Sequence, residues 1–512
     1  MCLALSSLSA IRLPRRLTMS ERVLAELVNG TLSRPQSRAL QATRNPAGGA
    51  VLGWLPVADA HHVDEAVAAA RAAFDDGRWS RLPASDRAQL LLELADQLEA
   101  NLDALARAET ADTGMLLSMT SQGHLPRAIA HCRYFAALCQ QQGGECHAMD
   151  NAYWQIVQRE PLGVVAILPP WSAPLAVATI NLAAALAVGN TVVLKSSERA
   201  PLTLSLMAEL LAALDFPPGV VNVIHGAAEP TGTALVRNRQ LDGLCFVGGS
   251  ETARHIAAQP ASAFRRTLYE LGGKSPTIVC ADADIEAAVD GALLSAFTSN
   301  GEVCTAGSRI LLQEDIQDAF LERFIARVRD LRVGDPCDPL SELGPMIDAA
   351  HLESIERHLL TAQEEGGRLL CGGQRIADLD GPYLRPAVID GITPTMRLFH
   401  QEVFGPVVGI TSFGSTAQAV ALANTSEYGL AATVWCADAS DGLRLAGQLR
   451  CGVVAVNSPV IRDIRVPFGG REASGLGRVG GRWSLDQYSE VKTISVPLEG
   501  YALPRLGLGG KA

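Results

Sequence analysis

No Cys-x-x-Cys pair occurs in these 512 residues, and the 11 cysteines are odd in number and scattered from position 2 to position 451. That pattern argues against a disulfide framework or a structural zinc site and fits a reducing, cytoplasmic compartment. Cys132, Cys139 and Cys146 recur every seven residues beside His131 and His147. Zinc spacings are tighter, so the three read as small buried residues on one face, and no metal is expected. A dense Lys/Arg run is also missing. With a net charge of −11 and a pI near 5.5, the chain has no electrostatic footprint for nucleic acid. Nor is there an unbroken apolar run. The longest uncharged stretch, Leu162 to Leu194, is interrupted by Pro169, Pro170, Pro174, Asn181 and Gly189-Asn190, and reads as strand, loop, helix and strand rather than a membrane span. Residues 1–18 lack acids and hold three arginines, a loose likeness to a transit peptide; the preferred reading is that translation begins at Met19.

What is present is a globular composition, 48% apolar with a mean hydropathy of +0.15, in a chain long enough for two or three domains. Asn45-Pro46-Ala47 with Gly48-Gly49 reads as a turn between short strands. Val63, Ala66, Val67, Ala70 and Phe74 then share one helical face, and Leu91, Leu94, Ala95 and Leu98 form the stripe of a second helix started by Pro83 and Ser85-Asp86. Strand-like runs at Val164–Leu168, Thr191–Leu194, Val220–Ile224 and Leu244–Val247 alternate with helical segments, the signature of a parallel sheet wrapped by helices. A second such series follows Gly272-Gly273, with strands at Thr277–Val279 and Arg309–Leu312 around a helix from Ile285 to Ala296. Repeats and low-complexity blocks are not evident, and the glycine-rich tail after Leu506 reads as flexible.

The chemistry centres on Cys304, in the run Asn300-Gly301-Glu302-Val303-Cys304-Thr305-Ala306-Gly307, and on Glu270, in Tyr269-Glu270-Leu271-Gly272-Gly273-Lys274. A thiolate can add to an aldehyde carbon and hold the product acyl group as a thioester, and a nearby carboxylate can deprotonate the thiol or a water. Read alone, either residue is more commonly structural. Their context decides. Asn45-Pro46-Ala47, Pro170-Trp171, Gly189-Asn190-Thr191, Pro218-Gly219-Val220, Glu402-Val403-Phe404-Gly405-Pro406, Tyr428-Gly429-Leu430 and Pro467-Phe468-Gly469-Gly470 follow one another in an order that resembles the aldehyde dehydrogenase superfamily from about Asn29 to about Val496.

That resemblance implies an α/β fold with a Rossmann-like coenzyme domain (19–141 and 162–273), a catalytic domain (274–473), an oligomerisation arm (142–161 and 484–498) supporting a homodimer or homotetramer, and a tail at 499–512. It implies oxidation of an aldehyde to an acid with NAD, through a Cys304 adduct and a thioester hydrolysed with Glu270 as base. Retention of Glu270 points to water rather than coenzyme A as acyl acceptor. No Gly-x-Gly-x-x-Gly string follows the first strand of the first α/β series, so the resemblance places the coenzyme at Trp171, Lys195, Glu198, Gly248, Gly249, Ser250, Ala253, Leu271, Glu402 and Phe404. A carboxylate such as Glu198 at the ribose 2′-hydroxyl repels a 2′-phosphate, which favours NAD over NADP. The first N–H groups of the helix opened by Gly248-Gly249-Ser250 would face the pyrophosphate.

Ser172, Asn181 and Gly249 depart from the family pattern, as do Val247 and Ala253 around Gly249. Ser172 stands where an asparagine donates to the oxyanion, and loss of such a donor costs about 2.7–4 kcal/mol. Asn181 replaces a lysine linked to proton relay, and Gly249 replaces a serine beside the phosphates. The alternatives left open are a catalytically weakened paralogue that binds NAD or aldehyde as a structural subunit, and a thiol esterase. The pocket wall implied by position is Ala173, Ile180, Val303, Thr305 and Phe468, mostly apolar, for which an aldehyde without negative charge is expected.

Overall fold

A computed structural model of the chain describes residues 12–13, 22–149, 153–259, 264–498 and 506–507. The expected leader and tail lie outside these residues except for Arg12, Leu13, Leu506 and Gly507. The first of two large sheets has eight strands in the order Thr31–Ser33, Glu26–Val28, Val221–Ile224, Thr191–Lys195, Val164–Leu168, Gly243–Val247, Arg266–Glu270, Gly475–Leu476. Its five central strands are parallel, and the two N-terminal strands and Gly475–Leu476 add antiparallel edges. The central runs are apolar at almost every position because helices cover both faces; Val164–Leu168 and Val221–Ile224 are buried throughout. Helix Pro174–Val188 is apolar on all sides and buried at every residue but Val177. Proline at its first turn and left-handed Gly189 just past its end mark its limits. Helix Ala60–Asp75, capped by Asp59, buries Val63, Ala66, Val67, Ala70 and Ala73. Phe74, expected on that face, is only half-buried, because Ala73 falls nearer the centre of the stripe.

The second sheet has seven strands in the order Arg368–Cys371, Ala387–Asp390, Val407–Phe413, Arg309–Gln313, Pro276–Val279, Ala431–Trp435, Val453–Val456, parallel apart from the first. Helices Ile285–Phe297 and Gln317–Asp330 pack in one of its cores through Phe297, Phe320 and Phe324. A separate three-stranded sheet pairs Ser489–Pro497 with Tyr153–Pro161 and Glu145–Ala148. Cys146 lies exposed in that sheet while Cys132 and Cys139 are buried in helix Leu125–Cys139, so the seven-residue repeat does not share one face as expected. The helix ends before the third cysteine is reached. Among the described residues no helix is long and apolar enough to cross a membrane, and no group of three or more His, Cys, Asp or Glu is placed to hold a metal.

Topology fixes where a ligand can bind. In the first sheet the strand order reverses between Val164–Leu168 and Gly243–Val247, and in open α/β sheets such a switch point leaves a crevice at the carboxyl ends of the strands. The loop carrying Trp171 and Ser172 and the loop carrying Gly248 and Gly249 leave from those two ends. The chain then runs from Glu270, the last residue of its strand, through Gly272-Gly273 directly into the amino end of Pro276–Val279 in the second sheet. Carboxyl ends of one sheet thus meet amino ends of the other.

Burial also fixes protonation states. His225 accepts from or donates to Ser196 Oγ at 2.7 Å and donates from Nε2 to Ala25 O at 2.9 Å, and burial pushes its pKa down to about 4. A histidine held neutral in the fold contributes stability that is present above its ordinary pKa of about 6.5 and is lost as pH falls toward 4. Thermal or urea unfolding should therefore show stability falling across pH 6.5 to 4, by at most about 1.4 kcal/mol per pH unit from this residue. That slope should diminish in His225→Gln.

Candidate active site

Glycine brings the reacting groups together. A Cβ on Gly273 would lie 2.5 Å from the carbonyl oxygen of Cys304, and one on Gly272 would lie 2.0 Å from Glu402 Oε2. No other residue permits these approaches. Gly273 N–H donates to Glu402 Oε1 at 3.0 Å, and Leu271 N–H donates to Ser474 O at 3.1 Å. The runs around residues 270, 304, 402 and 474 therefore meet at one place, and the 34 residues separating Glu270 from Cys304 fold back on themselves.

The Cys304 run is braced from below. Asn300 adopts a left-handed conformation, φ 59°, and its amide donates to Pro345 O at 3.1 Å while its carbonyl accepts from Gly344 N at 2.8 Å. Glu302 is buried and accepts from Ile347 N at 3.0 Å. Left-handed backbone at a non-glycine residue persists only where surrounding contacts over-determine it. Cys304 itself is half-buried, and Val303 and Thr305 flank it, also half-buried. Its thiol is pushed up in pKa by burial and by the Glu270 and Glu402 carboxylates, with Arg462 acting in the opposite sense.

Glu270 is buried, and its Oε1 has no hydrogen-bond partner among the described residues. Burial raises its pKa, again opposed by Arg462. Ser172 sits half-buried immediately before helix Pro174–Val188, with Ala173 as the helix cap. Ile180, from that helix, and Phe468 belong to one apolar cluster against which Cys304 packs. Asn181 is buried and donates to Val177 O at 3.0 Å.

The expected coenzyme residues occupy the crevice edge. Lys195 Nζ lies 3.3 Å from Glu198 Oε2. Gly249 caps helix Ser250–Ala257, and a Cβ there would meet nothing within 4 Å. The Gly248 N–H, expected to face the pyrophosphate, instead donates to Glu270 O at 3.1 Å, because it continues the pairing with strand Arg266–Glu270 one residue past Val247. Ser250 Oγ is bonded to Ala473 O at 3.1 Å. Ala253 is buried beneath the helix. Trp171 and Phe404 pack edge to face with centroids 5.3 Å apart, and His351 Nε2 lies 2.7 Å from Phe404 O. Phe404 is itself left-handed, φ 57°. Burial pushes the Glu402 carboxylate up to about 7, and burial pushes Lys274 down to about 7.

This constellation matches a known one. The model described as "Aldehyde dehydrogenase family" covers residues 33–494. The chain belongs to the aldehyde dehydrogenase family. Among curated relatives, the 5-carboxymethyl-2-hydroxymuconate semialdehyde dehydrogenase of Escherichia coli is 40% identical over 448 residues, 86% of this chain and 94% of that protein. Among solved structures, HpcC from Thermus thermophilus superimposes with a TM-score of 0.93 at 37% identity, covering 96% of each chain. An NAD+ complex of aldehyde dehydrogenase from Bacillus cereus gives 0.91 at 32% identity, over 93% of this chain and 97% of that one. The fold is α/β with a Rossmann-like coenzyme sheet, and the protein is an NAD-dependent aldehyde dehydrogenase. The open space at Gly249, the Glu198 carboxylate and the fixed Glu402 carboxylate fit that coenzyme.

Two residues of this aldehyde dehydrogenase were missed by sequence reasoning. Arg462 places its guanidinium 3.4 Å from the centroid of the Phe468 ring. Arg127, half-buried on helix Leu125–Cys139, is pushed down to a pKa of about 10 by burial and by Arg462, with Glu109 and Cys304 opposing. Neither guanidinium has a hydrogen bond or ion pair among the described residues. For Arg462 the run Ile461-Arg462-Asp463-Ile464-Arg465, directly before Val466-Pro467-Phe468, was the available signal; a lone arginine such as Arg127 offers none.

Gly273→Ala should leave a folded, NAD-binding protein with aldehyde oxidation reduced by at least about 10²-fold, because the added methyl must displace the Cys304 backbone. Circular dichroism and steady-state NADH formation measure the two parts.

Proposed function

We propose that Cys304 is the nucleophile and Glu270 the hydrolytic base of this dehydrogenase, and that its aldehyde carries a carboxylate received by Arg127 and Arg462. The observation that carries the second part is the pair of guanidinium groups without an acidic partner, both close enough to bear electrostatically on Cys304. The two guanidinium groups repel each other and neither is hydrogen-bonded to a carboxylate, an arrangement that suits an anion that is not part of the chain. The Escherichia coli relative is named for a semialdehyde with carboxymethyl and muconate groups, which supports the same reading. An uncharged aldehyde, expected from the apolar wall positions, leaves both cations unpaired.

In this reading the Cys304 thiolate adds to the aldehyde carbon. Oxygen charge is met by the Cys304 backbone N–H and the Ser172 hydroxyl at the positive end of helix Pro174–Val188. NAD, when bound, supplies the hydride acceptor. Lys195 and Glu198 hold its adenosine ribose, the Gly249–Ser250 turn its phosphates, and Glu402, Leu271 and Phe404, backed by Trp171, its nicotinamide end. Glu270, poorly solvated and without a protein donor, is a strong base toward the water that releases the acid from Cys304. NADP is disfavoured by Glu198.

The rest of the chain is assigned accordingly. Residues 19–141 and 162–273 make the coenzyme domain and 274–473 the catalytic domain. Segments 142–161 and 484–498 form an arm whose exposed Trp154, Val491, Ile494 and Val496 suit a homodimer or homotetramer. A cytoplasmic location accords with the unpaired cysteines.

NADH absorbance with purified protein tests the reaction: Cys304→Ala should abolish it, and activity surviving that change would overturn the assignment. Arg462→Ala and Arg127→Ala should each raise KM for a carboxylate-bearing semialdehyde by about 10–10²-fold, the range of one charge-assisted hydrogen bond. The KM for a neutral aldehyde of similar length should stay within about twofold in the same variants. Equal losses on both substrates would exclude anion recognition.

A further inference from the structure

The carboxyl ends of the second sheet hold two thiols that the reaction does not use. Cys280 follows strand Pro276–Val279 and Cys436 follows strand Ala431–Trp435, neighbours paired in parallel with Val279 opposite Trp435. The pairing runs on toward the cysteines, because Cys280 N–H donates to Trp435 O at 2.9 Å. One residue further along each strand, Cys280 stands opposite Cys436. Side chains alternate between the two faces, and burial follows that alternation: Val279 and Trp435 belong to one apolar core, whereas Cys280 and Cys436 share another with Ile278 and Val434. Adjacent strands lie about 4.8 Å apart, inside the Cα separation of about 4.4–6.8 Å that a disulfide spans.

Both thiols are within reach of a small reagent. Each cysteine keeps 6% of its surface exposed, and both line a cavity of about 540 Å³ together with Asp282, Gln313, Asp441 and Arg444. Gly442 of helix Ala439–Ala446 passes close to Cys436, where a Cβ would lie 3.0 Å from Sγ. The Cys436 thiol donates to Asp438 O at 3.2 Å, a weak bond that rotation of the side chain gives up. The cavity lies past the carboxyl end of Pro276–Val279, whereas Gly273 meets the Cys304 run before the amino end of that strand.

We propose that Cys280 and Cys436 are a modification site outside the active site, a dithiol that a hydroperoxide converts to a reversible cross-strand disulfide. One thiolate attacks the peroxide, and an S–O bond forms as the O–O bond breaks. The second thiol then displaces the hydroxyl of that sulfenic acid as water, so an S–S bond replaces the S–O bond. With hydrogen peroxide the two thiols give up two hydrogens and two electrons, and the peroxide leaves as two waters. Burial, the neighbouring Cys436 and the Asp282 and Asp441 carboxylates push the Cys280 thiol up to about 11, and burial with the same carboxylates raises Cys436. Thiols of high pKa are mostly protonated and leave poorly, so the bond forms slowly and, once made, resists exchange.

The full chain carrying Cys304→Ala, which removes the thiol assigned to the reaction, is treated with hydrogen peroxide and mapped by proteolysis and mass spectrometry without reduction. A pair of peptides joined through Cys280 and Cys436, lighter by two hydrogens and separated again by dithiothreitol, is expected. Because positions 280 and 436 are far apart in sequence, the cross-link closes a long loop and should raise the unfolding temperature by about 2–5 °C. Cys280→Ser and Cys436→Ser should each abolish that rise. Separate sulfinic or sulfonic acids at the two positions, two free thiols after prolonged exposure, or a rise that persists in either serine variant overturns the proposal. Where a serine variant does not fold, phenylarsine oxide serves as the probe on the native Cys304→Ala chain. Its single arsenic should bridge the two thiols with release of one water; arsenic found on neither cysteine, or only at other positions, overturns the proposal.

Discussion

Everything at this centre depends on two adjacent residues having no side chain. Gly272 and Gly273 let the backbone that leaves Glu270 pass directly beneath the Cys304 carbonyl and against the Glu402 carboxylate. Because the same dipeptide joins strand Arg266–Glu270 of the first sheet to strand Pro276–Val279 of the second, one close contact governs both how the sheets meet and how Glu270 stands relative to the Cys304 run. A single methyl there would force either the backbone of the Cys304 run or the carboxylate to move, and well-packed interiors transmit such shifts rather than absorb them.

The centre is correspondingly costly. Glu270 and Lys274 are buried and Cys304, Glu402 and Arg127 half-buried, Lys274 Nζ and Glu270 Oε1 lack partners among the described residues, and Asn300 and Phe404 hold left-handed backbone. Unsatisfied and strained groups of this kind persist where a large, consistent framework surrounds them. The framework here is two mostly parallel sheets whose central strands are buried on both faces and helices such as Pro174–Val188 that are buried at almost every residue. Partial neutralisation follows from burial: Glu402 and Lys274 are each drawn to about 7, from opposite directions.

The departures from the family pattern take on different meanings in three dimensions. Gly249 leaves space at the start of a helix whose preceding N–H, that of Gly248, is already used by Glu270 O. Ser172 keeps a hydroxyl at the amino end of helix Pro174–Val188. Asn181 is buried and accepts a hydrogen bond from the Tyr488 hydroxyl, so it is tied into the core.

The alternation of strands and helices was legible in the chain because it is a local pattern: continuous apolar runs of strand length, helical stripes, and glycine and proline punctuation between them. Local patterns also placed Cys304 and Glu270 as a pair through family likeness, though not how near they lie. The order of strands, the antiparallel edge supplied by Gly475–Leu476, the bracing of Cys304 by Asn300 and Glu302, and the Asn181–Tyr488 bond join residues tens to hundreds of positions apart, and no periodicity encodes such pairs. The unpartnered arginines are the clearest case. Sequence determines that Arg127 and Arg462 are charged; only tertiary structure decides that they stand near each other and near Cys304 without a hydrogen-bonded carboxylate among the described residues, because pairing is a property of neighbours in space.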